Sequence, residues 1–188
     1  MTSALTVPEG HVEVAGRGML LLGGLGEISA GLTSSTEIWA DYGKLFTFND
    51  EGDSTATYGF GAKQVLAHDR TRQVAITGSL RRLDGEMLFA GSAMASFCSD
   101  TTCDTMFTLG AGIAAANNHT VPVASGSILT GSGAFHGMVE AMWLDQAGLG
   151  VLGMRIGGAN VAFDIGMGIA LSSSPPVMLP IAGLAARM

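Results

Sequence analysis

Ser132 and His136, in SGAFHG, are residue types that could form a nucleophile and its base. A serine is activated only when the imidazole stands within hydrogen-bond reach and a third group orients it. Four residues apart on one extended strand, the two would face the same side, about two pairs along, too far to bond directly. Lipid hydrolysis or acyl transfer is therefore the weaker expectation, and no catalytic residue is assigned. His11, His68 and His119 fall near expected strand ends or turns, where solvation is the simpler fate.

The glycine-rich pieces GGLGEISAG and GSGAFHG lack the lysine of a phosphate loop, and no helix signal follows them. Glycine there reads as room for curling strands. Cys98 and Cys103, in CSDTTC, have no histidine close in sequence to complete a metal set. They read as a disulfide clasping a tight turn in an oxidising compartment such as the periplasm, with two free thiols as the alternative. No cofactor or metal is expected.

The remaining chemistry lies in the charges. With side chains alternating along extended strands, Glu13, Arg17, Glu27, Glu37, Asp41, Lys63, Arg81, Glu140, Arg155 and Asp164 fall on one face, with His136 beside them. Enclosed charges must pair or be hydrated, so the set reads either as salt bridges bracing a narrow barrel or as a hydrated eyelet for small solutes and ions. Its acidic excess implies a mild preference for cations.

The elements that must position these groups are short alternating strands. In NVAFDIGMGIAL, Val161, Phe163, Ile165, Met167, Ile169 and Leu171 share one face, against Ala162, Asp164, Gly166, Gly168 and Ala170. LGVLGMRIGG sets Leu152, Met154 and Ile156 against Gly153, Arg155 and Gly157. Arg155 turns inward, because an arginine facing lipid at mid-membrane would cost about 2 to 4 kcal/mol. The same period orders Phe107, Leu109, Ala111 and Ile113 against Met106, Thr108, Gly110 and Gly112, and Tyr58, Phe60, Ala62 and Leu66 against Thr57, Gly59, Gly61 and Lys63. Alternation is poorest from Val121 to Gly133 and from Gln73 to Leu83, where Arg82 shares the apolar face and fits only at a membrane edge.

Polar clusters near Ser34, Asp50, Asp69, Asp84, Asp100, Asn117, Asp145 and Pro175 punctuate these runs. A strand of roughly 10 to 12 residues, at about 3.3 Å each and tilted about 40°, rises some 25 to 30 Å, the height of an outer membrane's apolar band. Counting segments gives about twelve strands if GGLG around Gly24 is a hairpin turn, with ten as the fallback, since bacterial single-chain barrels have even numbers. Trp39, Tyr42, Phe46 and Phe48 near one strand, and Trp143 near another, are expected in interfacial belts.

Composition points the same way. Charged residues are 13% of the 188, against about 25% in ordinary soluble domains. No apolar run approaches the roughly 18 residues of a membrane helix. Nine Lys and Arg, scattered in a chain of net charge −7, exclude a nucleic-acid partner. Residues 1–188 read as one barrel domain, with 1–10 an N-terminal segment open to disorder and without the pattern of a signal peptide. A soluble all-β sandwich or solenoid is the competing fold, disfavoured because the outer faces would then have to be polar.

The last strand, PIAGLAARM, places Gly183, Ala186 and Met188 in a pattern that resembles the terminal signal of bacterial outer-membrane β-barrel proteins. Met188 stands where that signal usually has an aromatic. The run Val139, Glu140, Ala141, then LGVLGMRIGG, NVAFDIGMGIAL and Pro180 to Met188, resembles small porin-like barrels of Gram-negative bacteria. The resemblance implies an antiparallel up-and-down transmembrane barrel in the outer membrane, embedded in outer-membrane lipid and inserted by the barrel-assembly machinery. Turns of no more than about eight residues favour a structural barrel or a narrow passive pore over ligand capture, and no enzyme is expected.

Overall fold

The computed structural model describes residues 7–19, 23–46, 54–117, 119–145, 147–158, 160–170 and 177–188. Twelve strands follow in chain order: β1 Val12–Met19, β2 Gly23–Thr33, β3 Thr36–Phe46, β4 Ser54–His68, β5 Arg72–Leu83, β6 Glu86–Cys98, β7 Thr105–Ala116, β8 His119–Ser132, β9 Phe135–Leu144, β10 Ala147–Gly157, β11 Val161–Ala170 and β12 Val177–Arg187. Each pairs antiparallel with its neighbours in sequence, and β1 pairs with β12, so the sheet closes into an up-and-down barrel with no free edge. Closure is pinned where β1 begins and β12 ends: Val12 N donates to Met188 O and Met188 N donates to Val12 O.

The burial of the strands follows the two-residue period. On β11, Val161, Phe163, Ile165 and Met167 are exposed on the outer surface while Asp164 is buried inside. On β7, Phe107, Leu109 and Ile113 face out, Leu109 at 63% exposure, and Met106 and Thr108 are buried. The weakly patterned segment around β8 alternates as well, its inner positions held by pairing with β7 and β9. Arg82, one residue from the end of β5, is exposed and donates to Tyr58 Oη at 3.1 Å. Leu171, Phe48 and the turn residues around Asp50 and Pro175 lie outside the described residues.

Short turns close the hairpins for local reasons. Asp84 (φ 49°) and Gly85 (φ 82°) form a two-residue link in which both positions need left-handed backbone. Asp69 Oδ1 accepts from the amides of Thr71 and Arg72, and these bonds hold its carboxyl below the usual range. Asp100 is likewise depressed, chiefly by the Thr102 hydroxyl and also by the Cys103 amide. That turn carries the Cys98–Cys103 disulfide.

The structure corrects two expectations here. Gly24 lies inside β2 rather than in a turn, pairing with Gly18 while Gly23 pairs with Met19. Trp39 does not join an outer belt. It shares the inner parity of Glu37 and Asp41, and its ring lies against Gly61, where any Cβ would collide with it. Trp143 does face outward, with its indole N–H donating to Asp145 O at 2.8 Å.

Candidate functional site, the barrel lumen

Inner-face residues converge because each strand contributes every second side chain to one enclosed space. Asp164 on β11 is the centre of one cluster. Arg155 on β10, its register partner, donates through Nε at 2.8 Å and Nη2 at 2.9 Å to the two carboxylate oxygens, a planar two-bond clasp. Arg17 on β1 approaches the same carboxylate at 3.7 Å and reaches Glu140 on β9 at 3.3 Å. Three strands, β10 to β12, separate β1 from β9 around the wall. Arg17 therefore ties together parts of the wall four strands apart.

A second cluster sits on β3 to β5. Glu37 pairs with Lys63 at 3.1 Å between register partners, and Arg81 donates to Asp41 Oδ2 at 2.7 Å across the intervening strand. Gly59 stands between Asp41 and Arg81 in the same cross-strand row. A Cβ there would meet Asp41 Oδ2 at 3.2 Å and Arg81 Cβ at 3.3 Å, so glycine clears the way for the pair. Gly183 has the same place between Asp164 and Arg17. Two rows of acid, glycine and arginine thus brace the barrel at separate points on its wall.

Where β1 begins and β12 ends, Arg187 pairs with Glu13 at 2.7 Å. Arg187 was not among the expected inner residues, although the parity running back through Ile181 and Gly183 assigns it there. Glu27 faces inward beside Asp41 as its register partner. With Arg187 included, the described inner face carries six carboxylates (Glu13, Glu27, Glu37, Asp41, Glu140, Asp164) and five cations (Arg17, Lys63, Arg81, Arg155, Arg187). The acidic excess expected from ten charges shrinks to one.

His136 faces inward and lines a cavity of about 280 Å³ with Glu13, Arg155, Asn160 and Arg187. This cavity shares Glu13, Arg155 and Arg187 with a second one of about 290 Å³ reaching Arg17, Glu37, Lys63 and Asp164. Ser132 is not on the same strand face as His136. Gly133 (φ 64°) turns the chain between them, and Ser132 pairs with outward Phe135 while His136 pairs with Gly131. Beyond the charged layer the interior is apolar, with Met138, Val151 and Ile181 packed together and Leu129 against them. Val65, Ala75 and Met94 form a second such patch in one cross-strand row.

Neither a family model nor a curated protein matches this chain in sequence. Solved structures match it in fold. The KdgM porin is 8% identical with a TM-score of 0.72, over 94% of this chain and 98% of that one. KdgM porin in complex with disordered oligogalacturonate gives a TM-score of 0.71 at 8% identity, over the same shares. LpxR from Salmonella typhimurium gives 0.59 at 9% identity, over 94% of this chain and 99% of that one. What this chain shares with them is architecture: an all-β, closed, antiparallel barrel, here of twelve strands.

Proposed function

We propose that this chain is an integral barrel of the bacterial outer membrane that passes small solutes and ions through a narrow, charge-lined lumen. The carrying observation is the contrast between its two faces. Large apolar side chains stand exposed around the outside, among them Phe60, Phe89, Leu109, Ile113, Leu152 and Val161, while ion pairs and hydroxyls occupy the inside. Water outside would leave this apolar surface unsatisfied, whereas hydrocarbon suits it.

The interior has the character of a wetted passage. Asp41 Oδ1, Thr57 Oγ1 and Glu140 Oε1 have no hydrogen-bond partner among the described residues, and acceptors of this kind are satisfied by water in a hydrated channel. The opposite facing of Ser132 and His136 supports a non-catalytic reading over lipid hydrolysis. One related fold was solved with an oligogalacturonate, so small acidic saccharides are the first solutes to try.

Planar-bilayer recording tests the proposal. Purified barrel should give small discrete conductances with weak ion selectivity, because six carboxylates nearly balance five cations. Arg155→Gln should shift the reversal potential in a salt gradient toward cation preference. A barrel that inserts yet never conducts would overturn the pore.

A further inference from the structure

Residues 7–11, just ahead of β1, fold back over the rim. The β1–β2 ladder runs past Val12, with Gly31 N donating to His11 O at 3.1 Å and Gly10 N donating to Gly31 O at 3.0 Å. A tight turn then reverses direction. His11 N donates to Pro8 O at 3.1 Å, and Gly10 takes the left-handed position at φ 75°. Glu9 makes a parallel bridge to Gly31, a direction found nowhere else among the described pairings.

The turn delivers Val7 into the lumen. Val7 is 5% exposed and lines the charged cavity beside Glu13, Arg17, Glu37 and Lys63. Its amide donates to Glu37 Oε2 at 2.7 Å, the oxygen that also faces the Lys63 ammonium at 3.1 Å. Gly31 makes the seat possible, since a Cβ on its inner side would collide with the carbonyl oxygens of Val7 and Pro8. Three separate features therefore agree on one placement: a turn glycine, a seat glycine and a carboxylate latch.

We infer that Val7–His11 is an internal strap, latched on Glu37, that narrows the lumen at the end where β1 begins and β12 ends. Its attachment is slight. One charge-assisted hydrogen bond, one tight turn and the pairing of Glu9 and Gly10 with Gly31 hold it, while the twelve-strand ladder beneath does not depend on it. A contact of this strength suits a segment that opens and closes on a fixed barrel. The narrowing role rests on the pore proposed above, whereas the placement of the strap does not.

Thiol labelling and bilayer recording on the full chain separate the two. Cys98 and Cys103 are joined, so Val7→Cys and Glu9→Cys each introduce one reactive thiol. In lipid vesicles a membrane-impermeant maleimide should modify Val7→Cys about tenfold more slowly than Glu9→Cys, because the first is buried and the second exposed. Glu37→Gln and Gly31→Ala should each bring the Val7→Cys rate up toward the Glu9→Cys rate, with the heat-shifted band on a detergent gel showing that the barrel is intact. Equal rates in the parent background would overturn the strap. Removing residues 2–8 should raise single-channel conductance at least twofold. Protection of Val7→Cys with unchanged conductance would overturn the narrowing role, and protection with silence in both forms would remove the pore and the gate together.

Discussion

Asp164 shows how much depends on single side chains in this interior. Its carboxylate takes two bonds from Arg155 and the approach of Arg17, and its side chain is only 9% exposed while those arginines are 26% and 30% exposed. Fully buried pairs cost about 3 to 5 kcal/mol when one partner is removed, and exposed pairs about 1 kcal/mol or less. Asp164→Ala lies between these limits and should cost about 2 kcal/mol. Glu13→Ala, whose pair with Arg187 is more exposed, should cost about 0.5 kcal/mol. Urea unfolding of the two variants in the same micelles checks the ordering, and equal losses would mean that the Asp164 cluster braces nothing. Gly59 belongs to the same account, since it leaves the space through which Asp41 and Arg81 meet across an intervening strand, and Gly183 holds the corresponding position between Asp164 and Arg17.

At the scale of the strand, the deciding variable is which face meets which medium. Leu152 stands outward at 60% exposure near the middle of β10, three residues before inward Arg155. Leu152→Arg should cost about 2 to 4 kcal/mol in a bilayer, and close to nothing if water bathed that face. Folding titrations in lipid vesicles read the difference. The same parity made β7, β10 and β11 legible in the sequence, because large apolar residues alternate there with glycine, alanine or one charge. It failed where another signal competed. Trp39 carries the aromatic label of an interface but follows Glu37 and Asp41 inward, into room that Gly61 provides. Arg187 lay within a segment legible as an assembly signal, so its place opposite Glu13 went unread. Ser132 and His136 looked like one strand because the turn at Gly133 has no polar cluster around it. The seat of Val7 had no sequence signal beyond the Pro8, Glu9, Gly10 turn, since it depends on a glycine more than twenty residues away.

For the molecule as a whole, closure and sidedness are one problem. A twelve-stranded sheet without free edges satisfies its backbone internally, which is the condition for standing in hydrocarbon. It also turns half of every strand toward an enclosed space, which ion pairs, hydroxyl pairs and methionines share. Everything proposed for function follows from hydrocarbon outside and water inside. Spin labels placed singly at Val161, Ala162, Phe163, Asp164, Ile165 and Gly166, in barrels reconstituted into lipid vesicles, measure that contrast directly. Collisions with dissolved oxygen should dominate at 161, 163 and 165, and collisions with a water-soluble nickel chelate at 162, 164 and 166. Chelate collisions as frequent at 161, 163 and 165 as at their neighbours would contradict the membrane placement, and the pore with it.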